Sequence, residues 1–388
     1  MLKKQTVFIA LLAISTYSYA SNIAKTPPPP FPDYKLESIT NLINAADVHR
    51  VENKQKELTK KSRKKMKSYN SYASPTFLAK KASKSSLPKA LSVEEINDAF
   101  VSKGDKYTIS VPLTSIDNIV LKEKLPKASK KGKSKKSTYN FMLSLPNKDS
   151  NTFSGYAKVS KDNSIVYKDY QENTDVVVQA LEEGSLRILT ILNDADAPTE
   201  YIYKVNLPIG GHMKKLPDGS IVILDKNKKF TGAFTPAWAL DKNGEKVPTH
   251  YEIRGNKLIQ VVEHLSLNVA YPVVADPYYG RRMIRSAYWK KRPQKHGDTW
   301  FHYQITVIPS SFGLSLQRFY YAKEGWLQLR RKIQNNQWLN YNTASMQAQY
   351  YCHINFAWFR DEYHLEHWRP HTTWKKMMAY GCNPPGYM

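Results

Sequence analysis

Residues 176–191 contain two strand-like runs, Val176-Val177-Val178-Gln179-Ala180 and Leu186-Arg187-Ile188-Leu189-Thr190-Ile191. Their β-branched residues favour strands, although neither run alternates strictly between apolar and polar positions. Nearer the N-terminus, Tyr107–Val111 does alternate in this way. The three runs predict that the middle of the chain is built from strands.

Turn sequences separate these runs. Pro217-Asp218-Gly219-Ser220 precedes the apolar run Ile221–Leu224, and Lys242-Asn243-Gly244-Glu245 follows later. Asp-Gly and Asn-Gly pairs accept positive φ at low cost, which suits tight turns. We therefore expect an all-β, sandwich-like domain over residues 99–277 without a catalytic centre. The lysine-rich insert Lys122–Lys136 is expected to be a mobile loop between two strands.

The first twenty residues have the features of a secretory signal. Lys3 and Lys4 precede a short apolar stretch, Val7–Ile14, and the segment ends with Ser18-Tyr19-Ala20, a small-x-small cleavage pattern. The apolar stretch is shorter than the ~20 residues that span a bilayer. We expect residues 1–20 to be removed, the protein to be secreted into the periplasm or the medium, and the mature chain to lack a transmembrane segment.

Residues 21–98 are expected to form an arm rich in proline and lysine. Thr26–Pro32 contains five prolines and favours an extended spacer. A helix is possible from Asp33 to about Tyr69, since Leu36, Ile39, Leu42 and Ile43 have helical spacing. It leads into Lys60–Lys67, where like charges repel, so we expect the arm to be partly disordered.

The last part of the chain, residues 278–388, has a different composition. It contains seven of the eight tryptophans and six of the ten histidines, and its sixteen Lys and Arg oppose five Asp and Glu. We expect a small α+β domain. The predicted elements are strands at Phe301–Ile308, Ser315–Tyr321 and Tyr350–Phe359, a short helix or strand at Trp326–Ile333, and a short helix at Thr372–Tyr380 that ends at Gly381.

The two cysteines, Cys352 and Cys382, lie in this last part. Their number is even and they form no Cys-x-x-Cys pair, which argues against a zinc knuckle and a thioredoxin-like motif. Because an exported chain meets an oxidising environment, we expect a structural disulfide that closes the C-terminal domain.

The charge of the chain suggests the class of its partners. There are 58 Lys and Arg against 33 Asp and Glu, a formal net charge of +25. Such an excess attracts anionic polymers, which include nucleic acids, and anionic lipids. A lysine-rich surface that serves only solubility is the alternative.

Three C-terminal runs resemble a known family. They are Cys352-His353-Ile354-Asn355-Phe356-Ala357, Leu365-Glu366-His367-Trp368-Arg369-Pro370 and Cys382-Asn383-Pro384. Their pattern is similar to that of the C-terminal domain, of unknown function, in a family of bacterial secreted proteins. That family usually has proline at the position of His367 and tryptophan at that of Tyr363.

The middle of the chain resembles a β domain found ahead of varied C-terminal modules in secreted actinobacterial proteins. The resemblance rests on Asp194–Tyr201, Pro236-Ala237-Trp238, Pro248–Tyr251 and Tyr271–Pro277. It implies a presentation domain followed by an exchangeable module, an arrangement typical of toxin-like and interaction proteins.

Within the C-terminal pattern, His353, Glu366 and Arg369 are the candidate catalytic residues. A histidine can exchange a proton near neutral pH, a carboxylate can orient it, and a guanidinium can hold a phosphate or an oxyanion. Arg360, Asp361 and His367 are secondary candidates. The structural alternative is that His353 is a core residue and that Glu366 and Arg369 form a salt bridge.

Other chemistries have weaker support in the sequence. Pro370 interrupts any helix that would align His364, His367 and His371, so we expect no metal or other cofactor. Asp361, Tyr363, His367 and Arg369 loosely resemble a cluster of colicin M-like hydrolases that act on a lipid-linked cell-wall precursor. Tryptophans next to cations, as in Trp289–Arg292 and Trp374–Lys376, suit stacking on bases or sugars, or belong to the core.

Two functional hypotheses remain open at this stage. In the first, the protein is a secreted toxin-like effector whose C-terminal domain acts on a phosphate-bearing target, either RNA or a lipid-linked cell-wall precursor, with an immunity protein as a possible partner. In the second, it is a non-catalytic secreted protein that binds the cell envelope or another surface through an anionic polymer.

Overall fold

The structure is a computed structural model of the chain and describes residues 41–43, 45–46, 90–124, 138–150, 155–265, 268–292, 302–316, 319–333, 343–356 and 362–385. These residues form mostly β-sheets with few helices. The signal sequence, most of the arm and residues 125–136 of the lysine-rich insert lie outside this part. No described helix is both long and apolar enough to cross a membrane.

The strands, numbered β1 to β21 along the chain, form four sheets. The first is an antiparallel meander in which each strand pairs with the next. Its strands are β1 (Glu94–Ile96), β2 (Ala99–Lys103), β3 (Tyr107–Pro112), β4 (Ile119–Lys124) and β5 (Thr138–Leu143). The predicted strand at Tyr107–Val111 is confirmed. Lys122–Lys124, expected to begin a mobile loop, instead form the end of β4, where Glu123 is buried.

The largest sheet has ten strands, in the order β11-β12-β13-β18-β9-β8-β7-β6, with β17 pairing β9 and β14 pairing β17. These strands are β6 (Lys158–Val159), β7 (Ile165–Gln171), β8 (Thr174–Leu181), β9 (Ser185–Leu192), β11 (His212–Lys215), β12 (Ile221–Leu224), β13 (Phe230–Phe234), β14 (Trp238–Leu240), β17 (Val273–Asp276) and β18 (Tyr278–Gly280). The runs at 176–180 and 186–191 pair as its central hairpin, and every residue of β8 and β9 is buried. Both faces of this hairpin are covered, which explains why its apolar residues do not alternate with polar ones.

The third sheet has the order β10-β16-β15. Its strands are β10 (Glu200–Lys204), β15 (Thr249–Arg254) and β16 (Lys257–Val262). Buried side chains of the first three sheets pack in one core, in which Phe141 stacks on Tyr279 with ring centroids 3.7 Å apart. The predicted turns are also present, since Gly219 and Gly244 both adopt positive φ.

The outer face of the large sheet carries part of the N-terminal arm. Residues 41–43 and 45–46 are helical, and Ile43 and Ala46 are buried against Val177, Leu189 and neighbouring apolar residues. This short segment therefore packs on the sheet, as the helical spacing of Leu42 and Ile43 suggested.

The fourth sheet and the helices belong to the C-terminal part. The sheet has the order β19-β20-β21, with β19 (Ile284–Arg292), β20 (His302–Pro309) and β21 (Tyr363–Glu366). The helices are α1 (Ser311–Ser315), α2 (Phe319–Ile333), α3 (Thr343–Phe356) and α4 (Trp374–Ala379). The prediction of a strand at Phe301–Ile308 and of a helix at Thr372–Tyr380 is confirmed. Thr373 caps α4 by accepting a hydrogen bond from the backbone N–H of Lys376.

Two predicted strands of this part are wrong. The segment Ser315–Tyr321 ends α1 and begins α2, and the described part of Tyr350–Phe359 lies in α3. The ambiguous segment Trp326–Ile333 is helical. Aromatic content favoured strands, but the buried side chains recur at helical spacing, as in Met346, Tyr350 and Ile354 of α3. Packing of this apolar stripe outweighs the local propensity.

The C-terminal part shares its core with the large sheet. Leu181, Ala233 and Tyr278 of that sheet belong to the same buried cluster as Trp326 and Leu329 of α2. The hydroxyl groups of Ser220 and Tyr321 add a hydrogen bond of 2.8 Å between the two parts.

Ion pairs also fix this junction. The buried carboxylate of Glu123 accepts hydrogen bonds from Arg281 at 2.8 Å and from Arg282 at 2.5 Å. The guanidinium of Arg281 lies 4.0 Å from the centre of the Tyr139 ring. Burial and the nearby charges of Arg282 and Lys106 lower the pKa of Lys332 in α2. The junction thus has more positive than negative charge.

Candidate functional site

The C-terminal disulfide joins α3 to the segment after α4. Cys352 and Cys382 form the predicted bond, with S–S 2.07 Å and Cα–Cα 5.4 Å. Both cysteine side chains are buried and pack against Met377 of α4. The bond therefore holds the end of the chain against the helix that carries His353.

His353 lies inside the C-terminal part, where its side chain is only 2 % exposed. It is on the helix α3, not on the predicted strand. Its Nδ1 donates to the backbone carbonyl of Gln349 at 2.8 Å, and its ring centroid is 5.2 Å from that of Tyr363. Tyr363 is itself buried, and burial raises the pKa of its hydroxyl. A substrate would reach neither ring without a rearrangement.

Glu366 and Arg369 are in direct contact. Glu366 is the last residue of β21, and its carboxylate accepts a hydrogen bond from Nε of Arg369. Their side chains are 6 % and 24 % exposed. Nη1 of Arg369 also donates to the carbonyl oxygen of Pro384 at 2.9 Å. This pair thereby ties the chain end, just beyond Cys382, to the sheet.

Gln349 links His353 to Glu366 and was missed by sequence reasoning. Its side-chain oxygen accepts from the backbone N–H of Glu366 at 2.8 Å, and its nitrogen donates to the backbone carbonyl of Glu366 at 2.9 Å. Ser345, Gln349 and His353 are all buried and lie four residues apart on α3. This polar stripe is visible in the sequence only once the segment is recognised as a helix.

The other face of the sheet, away from the helices, has two rows of polar side chains. One row contains Lys290, Gln304 and Glu366, and the next contains Tyr288, Thr306 and His364. Gln304 and Thr306 are buried, whereas Tyr288 is 48 % exposed. His364 pairs with Glu362 at 2.9 Å. The face thus offers an exposed aromatic ring and a lysine side by side.

The secondary candidates do not assemble around His353 in the described part. Arg360 and Asp361 lie outside the described residues. His367 is half-buried, with its ring centroid 6.4 Å from that of Tyr303 and 5.6 Å from that of Trp368. Within the described ranges, no three or more His, Cys, Asp or Glu residues group closely enough to hold a metal ion.

The described tryptophans of the C-terminal part are buried or half-buried. Trp326 is buried, Trp289 is half-buried against the same core, and Trp368 lies 5.9 Å from the guanidinium carbon of Arg369. Trp300, Trp338 and Trp358 lie outside the described residues, and only the backbone of Trp374 is described. The described rings thus serve mainly packing.

The described charges of the C-terminal surface are mostly positive. Its described carboxylates each face a basic partner, since Glu324 lies 3.9 Å from Arg331 and Glu362 and Glu366 are paired as above. Exposed cations remain that have no carboxylate partner among the described residues; they are Lys290, Lys323, Arg330 and Lys376. This surface can accept an anionic partner without first breaking ion pairs.

Residues 284–385 match a family model described as protein of unknown function, DUF2599. The matched region begins with the first residue of β19 and includes all three strands of the fourth sheet, all four helices and the disulfide. His353, Glu366 and Arg369 lie inside it. The chain is thus similar to the DUF2599 family over its C-terminal part. No curated protein matches the chain.

Proposed function

We propose that the protein is secreted and that its C-terminal part, residues 278–388, binds a phosphate-bearing polymer of a cell envelope or surface without altering it chemically. The observation that carries this proposal is the set of exposed cations without carboxylate partners, described above. Multiply charged phosphates release counterions when they bind such cations, which makes binding favourable at low salt.

The candidate catalytic residues are better explained by a structural role. His353 is buried, and Glu366 and Arg369 bind each other and the chain end. A catalytic base and an oxyanion clamp must reach the reacting atoms. These side chains are buried or already bonded to other groups of the protein, which suits a role in stability and not in catalysis.

The sandwich-like β part, in this proposal, presents the C-terminal part, as in the modular secreted actinobacterial proteins that it resembles. Because the two parts share buried residues such as Ala233 and Leu329, separating them would expose apolar surface. Tests should therefore use the whole mature chain.

The deciding experiment measures binding of the mature chain to polyphosphate at low salt and at about 0.5 M salt, where the screening length is only a few ångströms. The test variant combines Lys290→Gln, Lys323→Gln and Lys376→Gln. The matched control combines Lys122→Gln, Lys124→Gln and Lys242→Gln, which are exposed lysines of the β part. We expect the first variant to lose roughly tenfold or more in affinity and the control to lose much less. Equal losses, or binding that does not respond to salt, would overturn the proposal.

The toxin-like effector is a second candidate, and we propose it on a narrower basis. The contact between Glu366 and Arg369 lies on the sheet face that also carries His364, whose side chain is 34 % exposed. An acid, a cation and a histidine on one face are groups that phosphate chemistry on RNA or on a lipid-linked precursor uses.

The test of this candidate is expression of the whole chain, with and without residues 1–20, in a test bacterium. The candidate predicts that the chain arrests growth when it is present in either the cytoplasm or the periplasm. His364→Ala should restore growth without changing the melting temperature of the protein. Protection by an immunity protein from an adjacent gene would support it further. Normal growth in both cases contradicts this candidate.

A further inference from the structure

Two turns meet at one end of the large sheet. The first, Pro208–Gly211, precedes β11, and the second, Asp225–Lys229, connects β12 to β13. A Cβ added at Gly210, which has φ +68°, would lie 3.1 Å from Cβ of Lys226. The turns are therefore in contact and form a single tip, which we call the Ile209 tip.

Ile209 is exposed at this tip. Its side chain is 94 % accessible, more than any other described large hydrophobic residue; Ile116 follows with 73 %. The backbone N–H of Gly211 donates to the carbonyl of Pro208 at 2.7 Å, so the turn has a defined conformation. An apolar side chain held out by a turn of defined conformation is accessible to a partner or a membrane.

The turn that contacts Gly210 contains three lysines. Lys226, Lys228 and Lys229 are all exposed. The neighbouring carboxylate of Asp225 is occupied by its own turn, since its Oδ1 accepts from the backbone N–H groups of Asn227 at 2.8 Å and Lys229 at 2.9 Å. None of the three lysines has a carboxylate partner among the described residues. The tip thus combines one projecting apolar side chain with three lysines against one aspartate, an excess of positive charge.

This combination favours a membrane over a soluble polyanion. A dissolved polyanion would bind the lysines and leave Ile209 in water. A bilayer with anionic headgroups uses both features, because the lysines attract the headgroups and the apolar side chain enters the boundary with the acyl chains. We propose that the Ile209 tip docks the protein on an anionic lipid membrane.

The Ile209 tip lies close to the start of α2 in the C-terminal part. Phe230 directly follows the lysine turn, and its ring centroid lies 6.2 Å from that of Tyr321 in α2. Membrane docking therefore brings the start of α2 close to the headgroups, with the exposed residues Tyr320 and Lys323. The inference does not depend on the polymer binding proposed above.

Insertion can be measured at a single site. Both cysteines of the chain are joined in the disulfide, so Ile209→Cys provides one free thiol for an environment-sensitive dye. We expect a blue shift of its emission on phosphatidylglycerol vesicles, and none on phosphatidylcholine vesicles or with polyphosphate. The same dye in Ile116→Cys is the control and should not shift.

Sedimentation with vesicles completes the test. Ile209→Ser should weaken binding to phosphatidylglycerol vesicles about fivefold, and the triple variant Lys226→Gln, Lys228→Gln, Lys229→Gln about a hundredfold, as ~1 kcal/mol per lysine implies. Ile116→Ser should bind like the unmodified chain, and all variants should keep its melting temperature. The proposal is overturned if the dye does not shift on anionic vesicles, if Ile209→Ser binds unchanged, or if neutral vesicles bind equally well.

Discussion

Gln349 closes the free edge of the C-terminal sheet by pairing with Glu366. Its side-chain amide accepts from the backbone N–H of Glu366 at 2.8 Å and donates to the carbonyl of the same residue at 2.9 Å. The amide thus takes the place of a further strand at an edge where unpaired backbone groups would otherwise invite association.

Replacing Gln349 by alanine should destabilise the C-terminal part by about 1–3 kcal/mol, because the backbone N–H of Glu366 loses its partner in a buried place, while its carbonyl keeps the hydrogen bond of 3.3 Å from the backbone N–H of Arg369. Urea unfolding, followed by tryptophan fluorescence, measures the loss. Gln347→Ala is the matched control, since the Gln347 side chain is half-buried and, among the described residues, donates to Tyr351 on the same helix at 2.8 Å. A control as unstable as the test variant would contradict the role of Gln349.

Replacing both cysteines by serine should lower the stability of the C-terminal part by about 3–4 kcal/mol, as the chain-entropy model gives for a loop of 30 residues. We expect hydrogen exchange to accelerate first in α3 and α4, while β8 and β9 remain protected. Reductant should reproduce this pattern in the unmodified chain and change nothing in the serine variant. An unfolding midpoint that does not move would refute the prediction.

The Glu366–Arg369 pair should behave as a structural unit. Arg369→Ala leaves a nearly buried carboxylate without its cation, so we expect a loss of about 3–5 kcal/mol. Adding Glu366→Gln should restore part of the stability, because the unpaired charge is then removed. Urea unfolding of the two single variants and of the double variant gives the coupling energy.

The surface pair Arg254 and Glu252, 2.7 Å apart with both side chains largely exposed, provides the comparison. Arg254→Ala should leave the stability almost unchanged, because exposed ion pairs contribute little. Additive effects of Arg369→Ala and Glu366→Gln would show that the two residues stabilise the fold independently of each other.

High pH should unfold the protein through its buried tyrosines. Burial raises the pKa of a group of hydroxyls in both cores, those of Tyr167, Tyr201, Tyr203, Tyr251, Tyr279, Tyr350 and Tyr363. Because their folded pKa values lie above the unfolded value of about 10, their contribution to stability is complete below that pH. It is lost as the pH rises towards the folded values.

Tyrosinate absorbance and circular dichroism, recorded together during an alkaline titration, test whether stability falls as the buried tyrosines ionise. We expect a late, cooperative rise in absorbance that coincides with loss of the β-sheet signal. Complete ionisation while the sheet signal remains native would mean that the phenols are accessible to hydroxide in the folded protein.

Part of this architecture follows from the sequence alone. The β-branched runs at 176–180 and 186–191 and the turns at Gly219 and Gly244 follow from local chemistry, because chain conformation at these residues depends on their own side chains and immediate neighbours. The disulfide follows from the presence of only two cysteines. The match of residues 284–385 to the DUF2599 model agrees with the motif that contains those cysteines.

The tertiary structure decides the remaining features. The aromatic residues of α2 and α3 are compatible with either a strand or a helix. These segments are helical because Trp326 and Tyr350 can then pack together in the buried apolar core. The motif containing His353 does not reveal its burial, because burial depends on which side of α3 meets β21. The exposure of Ile209 depends likewise on two turns, separated in the chain by β11 and β12, that the pairing of these strands brings into contact. Local sequence sets the conformations available to each segment, and long-range packing selects among them and determines which side chains face solvent.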